Sequence, residues 1–225
     1  MKSAEKHNRD IKAILFDLDG TLLDTSPGII NSVKYTISSM GLHELSDSGL
    51  KEFIGPPIRK KMQEVYHMPD DMAEKAMNVF RTYYGKEDLY KAEVYDGMID
   101  LLSELRTRGY LLGVATYKRE DQARSLLESK DIASLFDVIH GSDIAGQCTK
   151  ADVIKWCLND LDVQADETIL VGDSLNDAVG AQETGMRFIG VSYGFGFKSV
   201  EDIEKCDYYG KASSCSELRK IFCAD

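Results

Sequence analysis

The sequence predicts an α/β protein, a doubly wound (Rossmann-like) parallel sheet core with an inserted small α-helical cap domain. Three observations lead there. Apolar segments of strand length recur at residues 11–16, 110–116, 137–141, 167–172 and 187–192. Helical patterns lie between them, at 97–108, 119–130, 150–161 and 174–183, and such alternation is how parallel strands are joined by crossover helices. Finally, the 92 residues from Leu18 to Gly109 lie between the first strand and the second, whereas a crossover needs only a few tens.

Each element has a local reason. IKAILF (11–16), LLGVAT (111–116) and ILVG (169–172) are near-continuous apolar runs, which suit strands covered on both faces. Within the long interval, residues 29–40, 58–67 and 70–84 read as helices, with Pro69 and Asp70 opening the last. The expected division is a core of 1–26 and 90–225 and a helical cap of 27–89, with flexible joins near 24–28 and 86–96. Both joins leave from the Asp17 end of the first strand, so the insert is expected to sit over that end as a movable lid. After Gly194, a short strand at 206–209 and a closing helix complete the chain.

Composition narrows the function. Apolar content of 43% and charged content of 29% fit a globular protein and exclude global disorder. A net charge of −11 without a dense Lys/Arg run disfavours nucleic acid as partner. The first ten residues, MKSAEKHNRD, are polar and read as neither signal peptide nor anchor; no apolar run approaches a membrane span. A cytoplasmic protein, monomeric or weakly dimeric, is expected. Five cysteines lack CxxC spacing and read as reduced thiols, and His7, His43, His67 and His140 are too scattered to suggest a metal site.

The most informative stretch is FDLDGTLLDT at 16–25. If strand geometry persists, Asp17 and Asp19 point the same way. Two like charges held close favour a cation between them, whereas a plain turn would also use Asp and Gly. Open parallel sheets gather functional groups at strand carboxyl ends, and three further groups are found in such places. Thr116 ends LLGVAT with Tyr117 and Lys118 behind it. Asp173 follows ILVG, caps the next helix if that helix begins at Ser174, and has Asp177 four residues on. Lys150 opens a helix, where the helix dipole disfavours a cation and phosphate neutralisation would justify one. All-oxygen ligands suit Mg²⁺.

With these residues in order, the chain resembles the haloacid dehalogenase superfamily of phosphohydrolases over nearly its whole length. The opening signature DxDGT[LV] stands here as DLDGT, the second as the strand ending in Thr116, the third as Lys150 and the fourth as GDSLND. The resemblance implies that Asp17 is the nucleophile, forming an aspartyl-phosphate, and that Asp19 is the acid/base. It implies Mg²⁺ held by Asp17, the Asp19 main-chain carbonyl and Asp173, with Asp177 nearby. Phosphate would be held by Thr116, Lys150 and the amides of Leu18, Asp19 and Tyr117. Two departures stand out: Tyr117 occupies a position often Ser or Asn, and Asp19 is present where dehalogenases lack the second acid, so dehalogenation is disfavoured.

The insert resembles the α-helical cap of phosphoglycolate phosphatase-like members. FIGPPIR (53–59) looks like their cap loop, with Arg59 as a substrate-anion ligand, and VSYGFG (191–196) looks like their late glycine-rich turn. Arg81 would orient cap helices, and Tyr83 and Tyr84 would pack within the cap. The implied activity is Mg²⁺-dependent hydrolysis of a small phosphorylated metabolite. Pyrophosphatase, 5′-nucleotidase and a β-phosphoglucomutase-type phosphomutase are alternatives on the same scaffold, and a phosphate-sensing regulatory domain is the non-enzyme alternative.

Overall fold

The computed structural model describes residues 11–143 and 148–223; the polar N-terminal decapeptide, with His7, lies outside them. Two compact units make up the chain: Met1–Leu23 with Val94–Asp225, and Asp24–Glu93. The short strands β2 (Leu23–Asp24) and β3 (Glu93–Val94) carry the chain from one to the other and back.

The first unit is built on β1 (Ala13–Phe16), β4 (Leu111–Arg119), β5 (Val138–Ser142), β6 (Thr168–Gly172), β7 (Arg187–Val191) and β8 (Gly210–Ala212). They form one sheet in the order β5-β4-β1-β6-β7-β8, with every adjacent pair parallel. All four residues of β1 are buried, as its uninterrupted apolar run requires of a central strand. The helices α5 (Met98–Thr107), α6 (Glu120–Ser129), α7 (Lys150–Leu161) and α8 (Leu175–Thr184) connect these strands, with α9 (Val200–Ile203) and α10 (Cys215–Cys223) following. Leu15, Ala115, Val153, Ile154, Cys157, Leu170 and Ala181 share one core cluster. It fastens β1, β4 and β6 to α7 and α8, each large apolar side chain contributing about 1.5–3 kcal/mol by leaving water.

Register brings the strand ends together. Phe16 is aligned with Val114 on β4 and with Val171 on β6. Asp17 therefore emerges between these two neighbours, its amide donating to the Val171 carbonyl at 2.9 Å.

The second unit holds α1 (Ser26–Ser39), α2 (Asp47–Lys51), α3 (Ile58–Tyr66), α4 (Asp70–Tyr83) and a π-helical turn, Tyr84–Asp88. Its centre is a fully buried carboxylate, Asp88. Ser32 Oγ donates to it at 2.6 Å and Asn31 Nδ2 at 2.9 Å, and Lys91 Nζ lies 2.8 Å away.

Near the joins, α1 starts at Ser26 with Pro27 in its first turn, and Gly28 N donates to Lys91 O. Three local expectations need correction. The strand expected to end at Thr116 runs to Arg119, with its pairing interrupted between Ala115 and Arg119. The late strand is Gly210–Ala212 rather than 206–209, because Cys206 closes a turn onto Ile203 and the edge strand GKA has no apolar pattern to read. Ser174, not Asp173, caps α8.

Candidate active site

Asp17, Asp173 and Asp177 converge at the carboxyl ends of β1 and β6, and each offers a carboxylate oxygen within 4.8 Å of the others. All three are buried. Lys150, only 2% exposed, reaches into the group, with Nζ 2.6 Å from Asp17 Oδ1 and 2.6 Å from Asp177 Oδ1. Three converging acids thus have one ammonium among them, paired with Asp17 and Asp177. Burial and the charges of Asp177 and Asp173 push the Asp17 carboxyl well above the usual range against the pull of Lys150. Burial and the Asp177 charge likewise raise Asp173. For Lys150, burial works against the charged form, and the two carboxylates more than offset it, so it stays protonated.

Asp173 and Asp177 are held differently. Asp173 Oδ2 accepts the amides of Phe195 at 2.5 Å and Gly196 at 3.0 Å, so the late glycine-rich turn secures this acid. A Cβ on Gly194 would collide with Asp173 and with the Gly20 carbonyl, which is why the turn needs glycine there. Asp177 Oδ2 accepts both the amide and the hydroxyl of Ser174, at 3.1 and 2.6 Å, and its other oxygen takes Lys150. Both Asp177 oxygens are therefore committed. By contrast, Asp17 Oδ2 and Asp173 Oδ1 carry no hydrogen bond among the described residues. This open pair of oxygens beside an excess of buried negative charge fits a hard divalent cation.

Lys150 is placed by α7. Thr149 caps the helix in a reciprocal pairing with Asp152, and the Lys150 amide donates to the Tyr117 hydroxyl at 2.9 Å. The Lys150 stem lies on α8, where a Cβ at Gly180 would come within 2.7 Å of its Cγ. Thr116 is 1% exposed, and its Oγ1 accepts the Lys118 amide at 3.2 Å. Tyr117 follows with its side chain 45% exposed.

Sequence reasoning missed Lys118. Its Nζ lies 3.0 and 3.2 Å from the two Asp19 oxygens, and its side chain is 8% exposed. A lysine two residues past a candidate anion-binding threonine was the available signal. β1 ends at Phe16, so strand alternation does not by itself place Asp19; its ion pair does. Gly20 follows at φ +86°, which only glycine adopts freely.

Arg59 lies in the second unit, paired with Asp70 at 3.3 Å. Arg81 is exposed there, while Tyr83 stacks on Tyr35 at 3.7 Å and Tyr84 on Phe80 at 5.5 Å. A cavity of about 880 Å³ in that unit is lined by Tyr35, Glu74, Asn78, Tyr83 and Lys86 among others; no candidate site residue lines it. None of His43, His67 and His140 belongs to the acid cluster. The five cysteines are free thiols, Cys157 and Cys215 buried. No helix among the described residues is long and apolar enough to cross a membrane.

Residues 14–191 match the family model of haloacid dehalogenase-like hydrolases. A 5′-nucleotidase of Pseudomonas aeruginosa is 36% identical over 81% of this chain and 83% of its own length. A phosphoglycolate phosphatase of Rhodospirillum rubrum is 32% identical over 85% and 84%. The crystal structure of a "predicted phosphatase" from Clostridium acetobutylicum superposes with a TM-score of 0.84 at 36% identity, covering 93% of this chain and 97% of that one. The chain belongs to the haloacid dehalogenase-like hydrolases, as the DLDGT and GDSLND motifs indicated, and is an enzyme of their phosphatase type.

Proposed function

We propose that this chain is a Mg²⁺-dependent phosphomonoesterase acting on a small phosphorylated metabolite through an aspartyl-phosphate on Asp17. The observation that carries the reading is the asymmetry of Asp17: one oxygen is engaged by Lys150, and the other is open beside Asp173 and Asp177. A carboxylate so placed, buried and held by an ammonium, is an oriented nucleophile.

In the first step, an Asp17 oxygen attacks phosphorus, and the bond to the substrate's ester oxygen breaks. Asp19 gives that oxygen its proton. In the second step, Asp19 takes a proton from water as the water oxygen attacks phosphorus, freeing phosphate and restoring Asp17. Asp19 is ion-paired with Lys118, so it gives up that pair and enters the first step protonated, the form that the second step regenerates. Lys150, the Thr116 hydroxyl and the amides of Leu18, Asp19 and Tyr117 would hold the transferring group; the Leu18 and Asp19 amides donate to no acceptor among the described residues. Mg²⁺ would be held by the open oxygens of Asp17 and Asp173 and by the Asp19 carbonyl, with Asp177 acting through Lys150 and Ser174. When bound, the ion neutralises charge on the phosphoryl oxygens.

The helical unit 24–93 is read as the cap, with Arg59 as its candidate substrate ligand. Relatives named as 5′-nucleotidase and as phosphoglycolate phosphatase make both substrates candidates. Asp17→Asn is expected to lower kcat by at least about 10³-fold with folding retained, and undiminished turnover would remove Asp17 from its role. A comparison of kcat/KM with Mg²⁺ across phosphoglycolate, nucleoside 5′-monophosphates, pyrophosphate and glucose 1-phosphate identifies the substrate. Isomerisation of the sugar phosphate without phosphate release would favour a mutase instead.

A further inference from the structure

We infer that Tyr117 is a positioning residue: its hydroxyl anchors the first turn of α7 and thereby sets where Lys150 reaches. The inference rests on the reading of Lys150 as a group that holds Asp17 and phosphate. It turns on a side chain in a place where the resemblance supplied only a backbone amide.

The first amides of a helix have no intrahelical acceptor. At α7 the capping pair satisfies two others, since Thr149 N donates to Asp152 Oδ2 at 2.9 Å and Asp152 N to Thr149 Oγ1 at 3.2 Å. The Lys150 amide between them is taken by the Tyr117 hydroxyl at 2.9 Å. Tyr117 belongs to β4, which pairs directly with β1. One hydrogen bond thus ties the backbone that carries Lys150 to the strand beside the one that carries Asp17.

The tie matters because of what Lys150 has to do. A lysine side chain has four rotatable bonds, yet its Nζ meets Asp17 and Asp177 together, each at 2.6 Å. Its stem is confined on one side by Gly180, and Nζ lies 5.9 Å from the centre of the Tyr117 ring. With the stem confined on that side, where Nζ falls depends on the position of the helix start, which the Tyr117 hydroxyl fixes together with the Thr149–Asp152 cap. Packing does not explain the tyrosine, since the residue is 45% exposed. Displacing a positioned group by about 1 Å can cost about 10²-fold in rate, so a single bond at the base of Lys150 has leverage on turnover.

Tyr117→Phe deletes the hydroxyl and keeps the ring. In the full-length protein we expect kcat to fall about tenfold with KM changed by less than about threefold, and the Lys150 amide to exchange with solvent about tenfold faster. In a Lys150→Met background, adding Tyr117→Phe is expected to lower the residual kcat no further, because residues acting through one another are not additive. Unchanged kcat overturns the inference. So does a loss that persists in the Lys150→Met background, or that resides in KM alone, either of which makes Tyr117 a direct substrate contact. If the parent protein cleaves no phosphate ester, the proposed function fails on its own account; Lys150 amide exchange then decides the inference, and exchange unaltered by Tyr117→Phe overturns it.

Discussion

Two buried carboxylate clusters, one in each unit, are built on opposite terms. In the helical unit a single acid, Asp88, has a hydroxyl, an amide group and an ammonium around it. Burial pushes its carboxyl up, and the hydrogen bonds from Lys91, Ser32 and Asn31 more than offset that, leaving it below the usual range. In the sheet unit three acids converge and Lys150 pairs with two of them, Asp17 and Asp177, and burial with mutual repulsion drives Asp17 upward. A balanced cluster of this kind holds a fold together. An over-charged one stores unfavourable electrostatics that a cation relieves, and such imbalance marks functional sites.

The contrast predicts its own failures. The largest effect is expected from Lys150→Met, which leaves buried carboxylates uncompensated and should cost about 3–5 kcal/mol of stability along with about 10³-fold in kcat. Urea unfolding with and without Mg²⁺ checks it: the cation should restore part of the loss, and a Mg²⁺-independent deficit would mean that the cluster does not hold the ion.

Asp88→Ala comes next. It strands the Ser32 hydroxyl and Asn31 amide and should destabilise by about 1–3 kcal/mol, read by urea unfolding, with no response to Mg²⁺. Because the Asp88 pKa is lowered on folding, its stabilisation is present above the ordinary carboxylate value of about 4 and is lost as pH falls through the folded value. Acid unfolding of the parent below about pH 4 should therefore be steeper than that of Asp88→Ala, and identical profiles would show that the Asp88 charge does not stabilise the helical unit.

Lys118→Met is the mildest change. It removes a partly buried pair worth about 1 kcal/mol and frees Asp19, so kcat should change by less than about tenfold while melting temperature barely moves. A collapse of activity equal to that of Asp17→Asn would instead place Lys118 directly on the phosphoryl group.

Much of the sheet unit was legible because its information is local. Uninterrupted apolar runs named the buried strands, 3.6-residue periodicity named α5 to α8, and DLDGT and GDSLND lie where strands end. The misreadings were local too. GKA at 210–212 is an edge strand without an apolar pattern, and the short α2 and α9 have too few residues to show a period. Ser174 took the cap that the motif suggested for Asp173, because the reciprocal partner of a cap lies three residues on, and Asp177 follows Ser174 by three.

By itself the sequence determined the alternation of strand and helix, the presence of an inserted segment, and the identity of the acids, the threonine and the lysine. Apolar period and turn chemistry act over a few residues, so they can be read without a fold. Only the tertiary structure decided how those groups are shared. The Lys118–Asp19 pair spans 99 residues and the Tyr117–Lys150 bond 33, while Asp173 is gripped by amides 22 and 23 residues away. Such contacts depend on strand register and on the irregularity of β4 after Ala115, and no short-range pattern encodes either.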